Sequence, residues 1–510
     1  MQIEDQSQVI AFLSGAAAHA GRGPVARIDT HISHVFLDGD HALKLKRAVR
    51  LPYADFSTPE RRLAACATEL RLNRRTAPEL YLRVRRITLG PDGPEFDGAG
   101  RLLDAVVEMV RFDQDALFDA MAERGALPAA LLDRLVCEVA AFHASAPVRD
   151  AAGGAANIEA VLDVNLAGFR QSSVFPADRI AALDARFRAG LAAHAELLNA
   201  RAAAGFVRRC HGDLHLRNIC LHEGRVRLFD CLDFNESLAT VDVLYDLAFL
   251  VMDLWHRGMQ VAAARVANRY FEARGLEEGF ALKPYFVALR AAVRAHVTAT
   301  QAEGSAASDE LEEMARSYFA LAEAALAPVS ARLVAVGGFS GTGKSTLAEA
   351  LAPLVGAPPG ARVLGSDRIR KALHGVAPET RLPAEAYAPE MSSRVYAELA
   401  ARASAHLAAG VSVLVEAVHD RSEDRARIEA TARAAGVAFD GLWLTAPAER
   451  LRRRLVTRAP GASDADAHVL EQQLAKAPAR TGWFSVSTDC RLEQTIAAAR
   501  GALGLDVSTA

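Results

Sequence analysis

Residues 338–345 read Gly-Phe-Ser-Gly-Thr-Gly-Lys-Ser, and their reading decides the fold of the later part of this 510-residue chain. The apolar run Leu333-Val334-Ala335-Val336 precedes them, and the helical stretch Thr346-Leu347-Ala348-Glu349-Ala350-Leu351 follows. A strand, a glycine-rich loop and a helix in that order make a phosphate-binding loop. Gly338, Gly341 and Gly343 let backbone N–H groups turn inward onto phosphate oxygens, and the helix N-terminus adds its dipole. Lys344 is expected to reach the β/γ-phosphates and Ser345 to hold Mg²⁺. Ser340, Thr342 and Thr346 complete the expected nucleotide contacts. The loop comes late, so a long preceding region must do something else.

Bulk properties bound what that can be. The length predicts two or three domains, each able to bury a core. Apolar residues make up 51% and charged residues 24%, ordinary values for a globular protein. A formal net charge of −3 offers no basic surface, so a nucleic-acid partner is not expected. The six cysteines, Cys66, Cys137, Cys210, Cys220, Cys231 and Cys490, lack C-x-x-C spacing and suit reduced thiols. The most apolar stretch, residues 244–255, contains Asp246 and Asp253 and is too short to span a bilayer. The chain opens Met-Gln-Ile-Glu-Asp, without a signal-like segment, and the expected location is cytoplasmic. There is no oligomer signature.

Along the chain, residues 30–50 read as paired strands around a turn at Asp38-Gly39-Asp40. Residues 58–75 read as a helix, with Ser57 or Thr58 as cap and Pro59 at its first position. Residues 80–89 and 102–111 read as strands separated by a turn-rich stretch at 90–100. From residue 127 the pattern is mostly helical, broken by short strands at 207–234, and it continues to about residue 327. After a break at Pro328-Val329-Ser330, strand candidates at 333–336, 363–365, 411–416 and 439–444 alternate with helices. That alternation predicts a parallel sheet covered on both faces.

The most informative earlier segment is Cys210-His211-Gly212-Asp213-Leu214-His215-Leu216-Arg217-Asn218. It places an acid and, five residues later, an amide in a loop entering a strand. Phosphoryl transfer to a hydroxyl needs a carboxylate near the attacking oxygen and oxygen ligands for Mg²⁺. Asp213 suits the first role and Asn218 the second. Another acid follows the turn at Glu223-Gly224, either Asp230 or Asp233. Spacing from Gly224 favours Asp230, and the local Leu-Asp-Phe pattern favours Asp233; Asp230 is preferred, with Asp233 second.

These residues resemble the aminoglycoside phosphotransferase family, which shares the protein-kinase-like fold. The resemblance implies an α+β bilobal domain over residues 1–328, with a small lobe to about 112 and a helical large lobe after it. It implies Asp213 as catalytic base, with Asn218 and Asp230 or Asp233 as metal ligands. The later Asp246-Leu-Ala-Phe resembles the family's structural helix start, where Asp242 and Asp246 brace the loop. Ala42-Leu43-Lys44 resembles the kinase strand whose lysine binds α/β-phosphates. Ala42, Lys44 and Lys46 share one strand face, which leaves the choice of lysine open. Glu69 is the candidate ion-pair partner, and residues 108–112 the adenine hinge.

Residues 331–510 resemble small-molecule kinases of the P-loop class, an α/β P-loop NTPase fold of the AAA or zeta kind. The segment Gly365-Ser366-Asp367-Arg368-Ile369-Arg370 implies Asp367 as activator of an acceptor hydroxyl and Arg370 as acceptor ligand. Glu416 stands at a strand end where such kinases carry an acid near Mg²⁺. The arginine-rich residues 448–458 resemble a mobile lid, with Arg454 and Arg458 as its candidate catalytic arginines. The whole chain resembles bacterial fusions of these two domains. The reading is a bifunctional, cytoplasmic, ATP- and Mg²⁺-dependent phosphotransferase acting on small hydroxylated acceptors. The alternative is one catalytic half beside a nucleotide-binding regulatory module or ATPase.

Overall fold

The computed structural model of the chain describes residues 4–19, 25–51, 54–149, 154–303, 307–457, 461–476 and 481–505. They fall into two compact units, Met1–Asp163 with Leu191–Asp253, and Val164–Gly190 with Leu254–Ala510.

The first unit opens with strands β1 (Ala26–Asp29), β2 (Ser33–Asp38), β3 (His41–Lys46), β4 (Arg50–Leu51) and β5 (Ala54–Asp55). Helix Pro59–Asn73 follows, then β6 (Tyr81–Gly90), β7 (Gly93–Phe96) and β8 (Leu102–Val110). Six of them pair antiparallel in the order β1-β2-β3-β8-β6-β7, while β4 and β5 form a separate ladder. The β2–β3 hairpin turns at Gly39, whose φ of +51° suits a two-residue connection. Within the stretch read as a turn-rich connector, β7 adds a paired strand that the sequence pattern did not show.

Period-two alternation sorts the small sheet's side chains. Phe36, Leu43, Leu45 and Val106 pack with Val9 and Leu13 on one face. Leu37, Ala42, Ala105 and Val107 pack with Cys66 and Tyr81 on the other. Lys44 and Lys46 alternate with Leu43 and Leu45, so they share the face that helix Pro59–Asn73 covers. Thr58 caps that helix by accepting from the Arg61 N–H, and Pro59 opens it. Arg62, Cys66, Glu69 and Asn73, spaced at helical intervals, are its buried stripe.

Further along, β9 (Val207–Arg209) pairs with β12 (Thr240–Asp242), and β10 (Ile219–His222) with β11 (Arg225–Leu228). Glu223 and Gly224, with φ of +48° and +72°, make the tight β10–β11 turn. Asp242 ends β12 rather than lying inside the following helix, and its Oδ1 accepts the Leu244 N–H at 2.8 Å.

The second unit holds the parallel sheet. Its strands are β13 (Arg332–Gly338), β14 (Arg362–Gly365), β15 (Val413–Glu416), β16 (Ala438–Thr445) and β17 (Phe484–Ser487). They pair in parallel in the order β14-β15-β13-β16-β17, the α/β P-loop fold expected. The last strand was not among the sequence candidates; Phe484 is exposed and the run is too polar to stand out. In the central β13, Val334 and Val336 enter one core with Leu347 and Leu351, while Leu333 and Ala335 enter the opposite one with Val395 and Leu399. Burial on both faces is why this strand is a continuous apolar run.

Helix Gln260–Arg274, well before the loop, is built into this unit. Its Ala264 belongs to the core of Val334 and Leu347. Asn268 accepts from the Val363 N–H at 2.8 Å and donates to the Ala361 carbonyl at 3.1 Å, closing part of the edge of β14. Arg265 and Arg269 pair with Glu349 on the helix after the phosphate loop. Arg362, almost completely buried, donates to Glu277 at 2.7 and 2.9 Å and to Asn268 at 3.0 Å. Residues 328–331, where a domain boundary was expected, thus lie inside one unit with helices that precede them.

Removing one partner of a buried pair strands the other, at about 3–5 kcal/mol. Arg362→Ala should lower stability by about that amount, read as a shift in denaturant midpoint at constant slope. An unchanged midpoint would show that the network carries no net stability. Burial opposes ionisation of Glu277, but His406 and Arg362 outweigh it and hold the carboxyl below the glutamate range. The stability it contributes is therefore complete above the ordinary glutamate value and is lost as pH falls below it. The thermal midpoint of the wild type should fall between about pH 5 and pH 3 more steeply than that of Glu277→Gln.

Candidate active sites

In the first unit, the face of β3 turned to helix Pro59–Asn73 brings two lysines to one glutamate. Lys44 Nζ lies 2.8 Å from Glu69 Oε1, and Lys46 Nζ 2.6 Å from Oε2. Each lysine takes one further acid: Lys44 reaches Asp230 at 2.5 Å and Lys46 reaches Asp233 at 2.7 Å. Exposure separates the pairs. Asp230 is 44% exposed and Lys44 12%, whereas Asp233 is 6% and Lys46 1% exposed. Burial works against the Lys44 ammonium, but Asp230 and Glu69 outweigh it and raise its pKa. Burial likewise opposes the Glu69 carboxylate, yet the two lysines pull it down to about 2.

The loop from β9 to β10 carries the sequence-predicted base and amide. Asn218 Nδ2 donates to the Asp213 carboxylate at 3.0 Å and to its carbonyl at 2.9 Å. That bond turns the Asn218 amide oxygen to the other corner of the side chain. Gly212, at φ +85°, leaves no room for a Cβ, which would lie 2.7 Å from Ala239 and 2.9 Å from Leu232. Asp246 braces the loop by accepting the His211 N–H at 3.2 Å and the Gly212 N–H at 2.7 Å. His143 adds a bond to the same carboxylate at 3.1 Å, and this group of His143, Cys210 and Asp246 is wholly buried.

Asp230 follows β11 at φ +58°, a left-handed backbone uncommon outside glycine though tolerated by Asp. The Tyr81 hydroxyl accepts its N–H at 3.1 Å, and Asn73 Oδ1 accepts the Cys231 N–H at 2.8 Å. The Phe229 N–H donates to the Asn218 carbonyl at 3.0 Å, which sets Asn218 and Asp230 at the same end of the hairpin. Sequence reading named Lys46 and Asp233 only as alternatives for other roles and missed Asn73 and Tyr81, because only folding joins the four. An amide oxygen and a half-exposed carboxylate are the hard oxygen donors Mg²⁺ takes.

In the second unit the phosphate loop leaves the end of β13. Gly338, Gly341 and Gly343 have φ of +143°, +85° and +89°. A Cβ on Gly338 would sit 2.9 Å from the Leu444 carbonyl, so the loop is tight against β16. Thr342 is buried and its hydroxyl donates to the Phe339 carbonyl at 2.7 Å, pinning the turn. Lys344 Nζ donates to the same carbonyl at 3.2 Å. Ser345 and Thr346 are exposed on the first turn of helix Lys344–Leu351. The Ser340 N–H donates to Gln473 Oε1 at 2.8 Å, a contact no sequence motif announced.

Ser345 Oγ donates to Glu416 Oε1 at 3.0 Å. Burial, reinforced by Asp367, raises the Glu416 pKa to about 7 against the pull of Lys344. Gly365 makes room for it, since a Cβ there would lie 2.5 Å from Glu416 Oε1. A serine hydroxyl with a carboxyl beside it is a donor set that fits Mg²⁺. Just past β15, His419 is fully buried at φ +53° between Tyr396 and Trp483, and burial, then Lys344, lowers its pKa to about 3.

Asp367 is half-buried at the start of helix Ser366–Leu373. Arg370 is buried and donates to the Ala386 carbonyl at 2.7 Å, with its guanidinium 4.7 Å from the Tyr387 ring centre. Arg454 donates to the Gly341 carbonyl at 3.2 Å and to the Thr488 carbonyl at 2.6 Å. Arg458 lies outside the described residues.

Residues 54–285 match the Phosphotransferase enzyme family, and residues 333–479 match a family described as AAA domain. The uncharacterised protein Rv2004c of Mycobacterium tuberculosis is 30% identical over 456 residues, covering 86% of this chain and 88% of that one. A Mycobacterium bovis relative, Mb2027c, matches to the same extent. Among solved structures, a choline/ethanolamine kinase family protein from Mesorhizobium loti aligns with 63% of this chain and 95% of its own at 17% identity and TM-score 0.41. A gluconokinase from Sinorhizobium meliloti aligns with 34% of this chain and 91% of its own at 21% identity and TM-score 0.25. No helix among the described residues is long and apolar enough to cross a membrane. The chain therefore belongs to one family with the mycobacterial proteins, and in it a region matching the Phosphotransferase enzyme family is followed by a P-loop domain.

Proposed function

We propose that the chain is a bifunctional ATP-dependent phosphotransferase, each half moving a γ-phosphoryl group to a small hydroxylated acceptor. The observation that carries the reading is Lys44 held between buried Glu69 and half-exposed Asp230. Kinase-type transfer needs the lysine–glutamate pair in place beside a metal-binding acid. Lys44 would hold the α/β-phosphates, Asp230 and Asn218 the metal, and Asp213 would accept the acceptor's proton. When bound, Mg²⁺ supplies charge neutralisation between the phosphates. We read Asp233, buried against Lys46, as the structural acid, and the greater exposure of Asp230 supports it as the metal ligand.

In the second half, the loop amides and Lys344 would hold the phosphates, with Ser345 and Glu416 on the metal. Asp367 would take the acceptor's proton and Arg370 would hold the acceptor wall through Ala386. We place the functional division at residues 328–331, although the P-loop half leans on helix Gln260–Arg274 for its core.

Two variants test the reading in the intact chain, with a panel of sugars, aminoglycosides, nucleosides and polyols as acceptors. Asp213→Ala and Lys344→Ala should each remove a separate part of ATP turnover, by about 10²-fold or more. If neither variant changes turnover with any acceptor, the reading fails. Transfer surviving the loss of one ATP site would instead favour one catalytic half and one regulatory half.

The two lysines should behave differently. Lys44→Met should weaken ATP use in the first half and lower the unfolding midpoint less than Lys46→Met, because Glu69 keeps Lys46 and Asp230 is half-exposed. Lys46→Met strands buried Asp233 and should cost about 3–5 kcal/mol of stability. The reverse pattern, measured by denaturation and ATP kinetics, would exchange their roles.

A further inference from the structure

Helix Ala467–Ala475 reaches the phosphate loop through Gln473. A backbone N–H can only donate, so its bond to Oε1 holds the carboxamide oxygen on the Ser340 side. The Nε2 group, with two N–H donors, is thereby turned to the other corner, and it has no partner among the described residues.

The Phe339 carbonyl and the Ser340 N–H belong to one peptide group. Lys344 takes its oxygen at 3.2 Å and Gln473 its N–H at 2.8 Å. In a trans peptide those two bonds point to opposite edges, so Lys344 and Gln473 flank the loop from two sides. Three arginines of the same region, all among the described residues, are otherwise engaged. Arg454 is bonded to Gly341 and Thr488, Arg452 to Glu471 at 2.7 Å, and Arg450 to Asp489 at 2.6 Å. The Arg452–Glu471 bond also ties helix Ala448–Thr457 to the helix that carries Gln473.

We propose that Gln473 is a catalytic residue of the P-loop half, donating from Nε2 to an oxygen of the phosphoryl group in transfer. It is a neutral donor where an arginine was expected, and the assignment rests on reading this half as a phosphotransferase. In the step it serves, a bond forms between the acceptor oxygen and the γ-phosphorus, and the bond from that phosphorus to the β–γ bridging oxygen breaks. The acceptor proton passes to Asp367, the electron pair leaves with ADP, and Gln473 neither gains nor loses a proton. Its value lies in preorganisation: the Ser340 bond fixes the carboxamide before charge develops on the phosphoryl oxygens. Loss of one such donor costs about 10²–10³ in transition-state stabilisation.

The test uses the intact chain, Mg-ADP and aluminium fluoride, a mimic of the phosphoryl group in flight. Trp443 and Trp483 pack against Gly337 beside the loop and report binding by fluorescence, with Lys344→Ala defining the share of signal that belongs there. Gln473→Ala should weaken the ADP–aluminium fluoride complex by about 10²-fold while Mg-ATP weakens by less than about three-fold. Gln473→Glu keeps the reach but loses the donors, and should do the same or worse. Equal affinity of the wild type and Gln473→Ala for the mimic overturns the assignment. So does an equal loss for Mg-ATP and the mimic, which marks the helix as merely structural. If Lys344→Ala itself leaves binding unchanged, the P-loop reading falls, an outcome distinct from any result with the Gln473 variants alone.

Discussion

The Glu69 carboxylate is fully removed from water, and it is held there by Lys44 on one oxygen and Lys46 on the other. An isolated buried charge would be too costly to keep, so the helix that carries Glu69 must lie against the face of β3 that carries both lysines. That requirement joins the small sheet to helix Pro59–Asn73. The second acids, Asp230 and Asp233, extend the same set of charges to the segment after β11. One pair remains accessible and the other is sealed, so the four side chains around the shared glutamate differ in exposure.

The same constraint recurs in the second unit with different residues. Arg362, at the edge strand of the parallel sheet, is buried against Glu277 and Asn268. These belong to the chain well before the phosphate loop, so the P-loop core is completed by residues outside its own family match. Helix Gln260–Arg274 touches the helix after the loop through Glu349. It also meets Arg368, next to Asp367, through Glu272 at 2.9 Å. It thereby supports both the helix after the phosphate loop and the helix start that carries Asp367.

Much of the fold was legible because it is local. The phosphate loop, the β2–β3 hairpin and the Thr58–Pro59 helix start are each specified by a few neighbouring residues with strong backbone preferences. The polar edge strand β17 and the short β7 were not, since neither has a distinctive apolar pattern and each exists by pairing with a partner. In the sites, Asp213 and Asn218 could be found because they share one loop. Gln473 could not, because a glutamine on an unremarkable helix carries no signal until its carboxamide meets the Ser340 N–H. The arginine-rich stretch drew attention as a lid, whereas Arg454 spends its guanidinium on backbone carbonyls.

Sequence alone determined that the chain has a phosphate loop and a separate acid–amide loop, because glycine placement and fixed short spacings are properties of contiguous residues. Tertiary structure alone decided which lysine and which acid are exposed. Strand alternation puts Lys44 and Lys46 on one face, and only packing distinguishes them. It also decided what supports the phosphate loop, since a buried charge finds its partner in space rather than along the chain. The loop at 338–345 was readable at once, but Glu416, Gln473 and the helix at 260–274 reach it only because the parallel sheet folds them there.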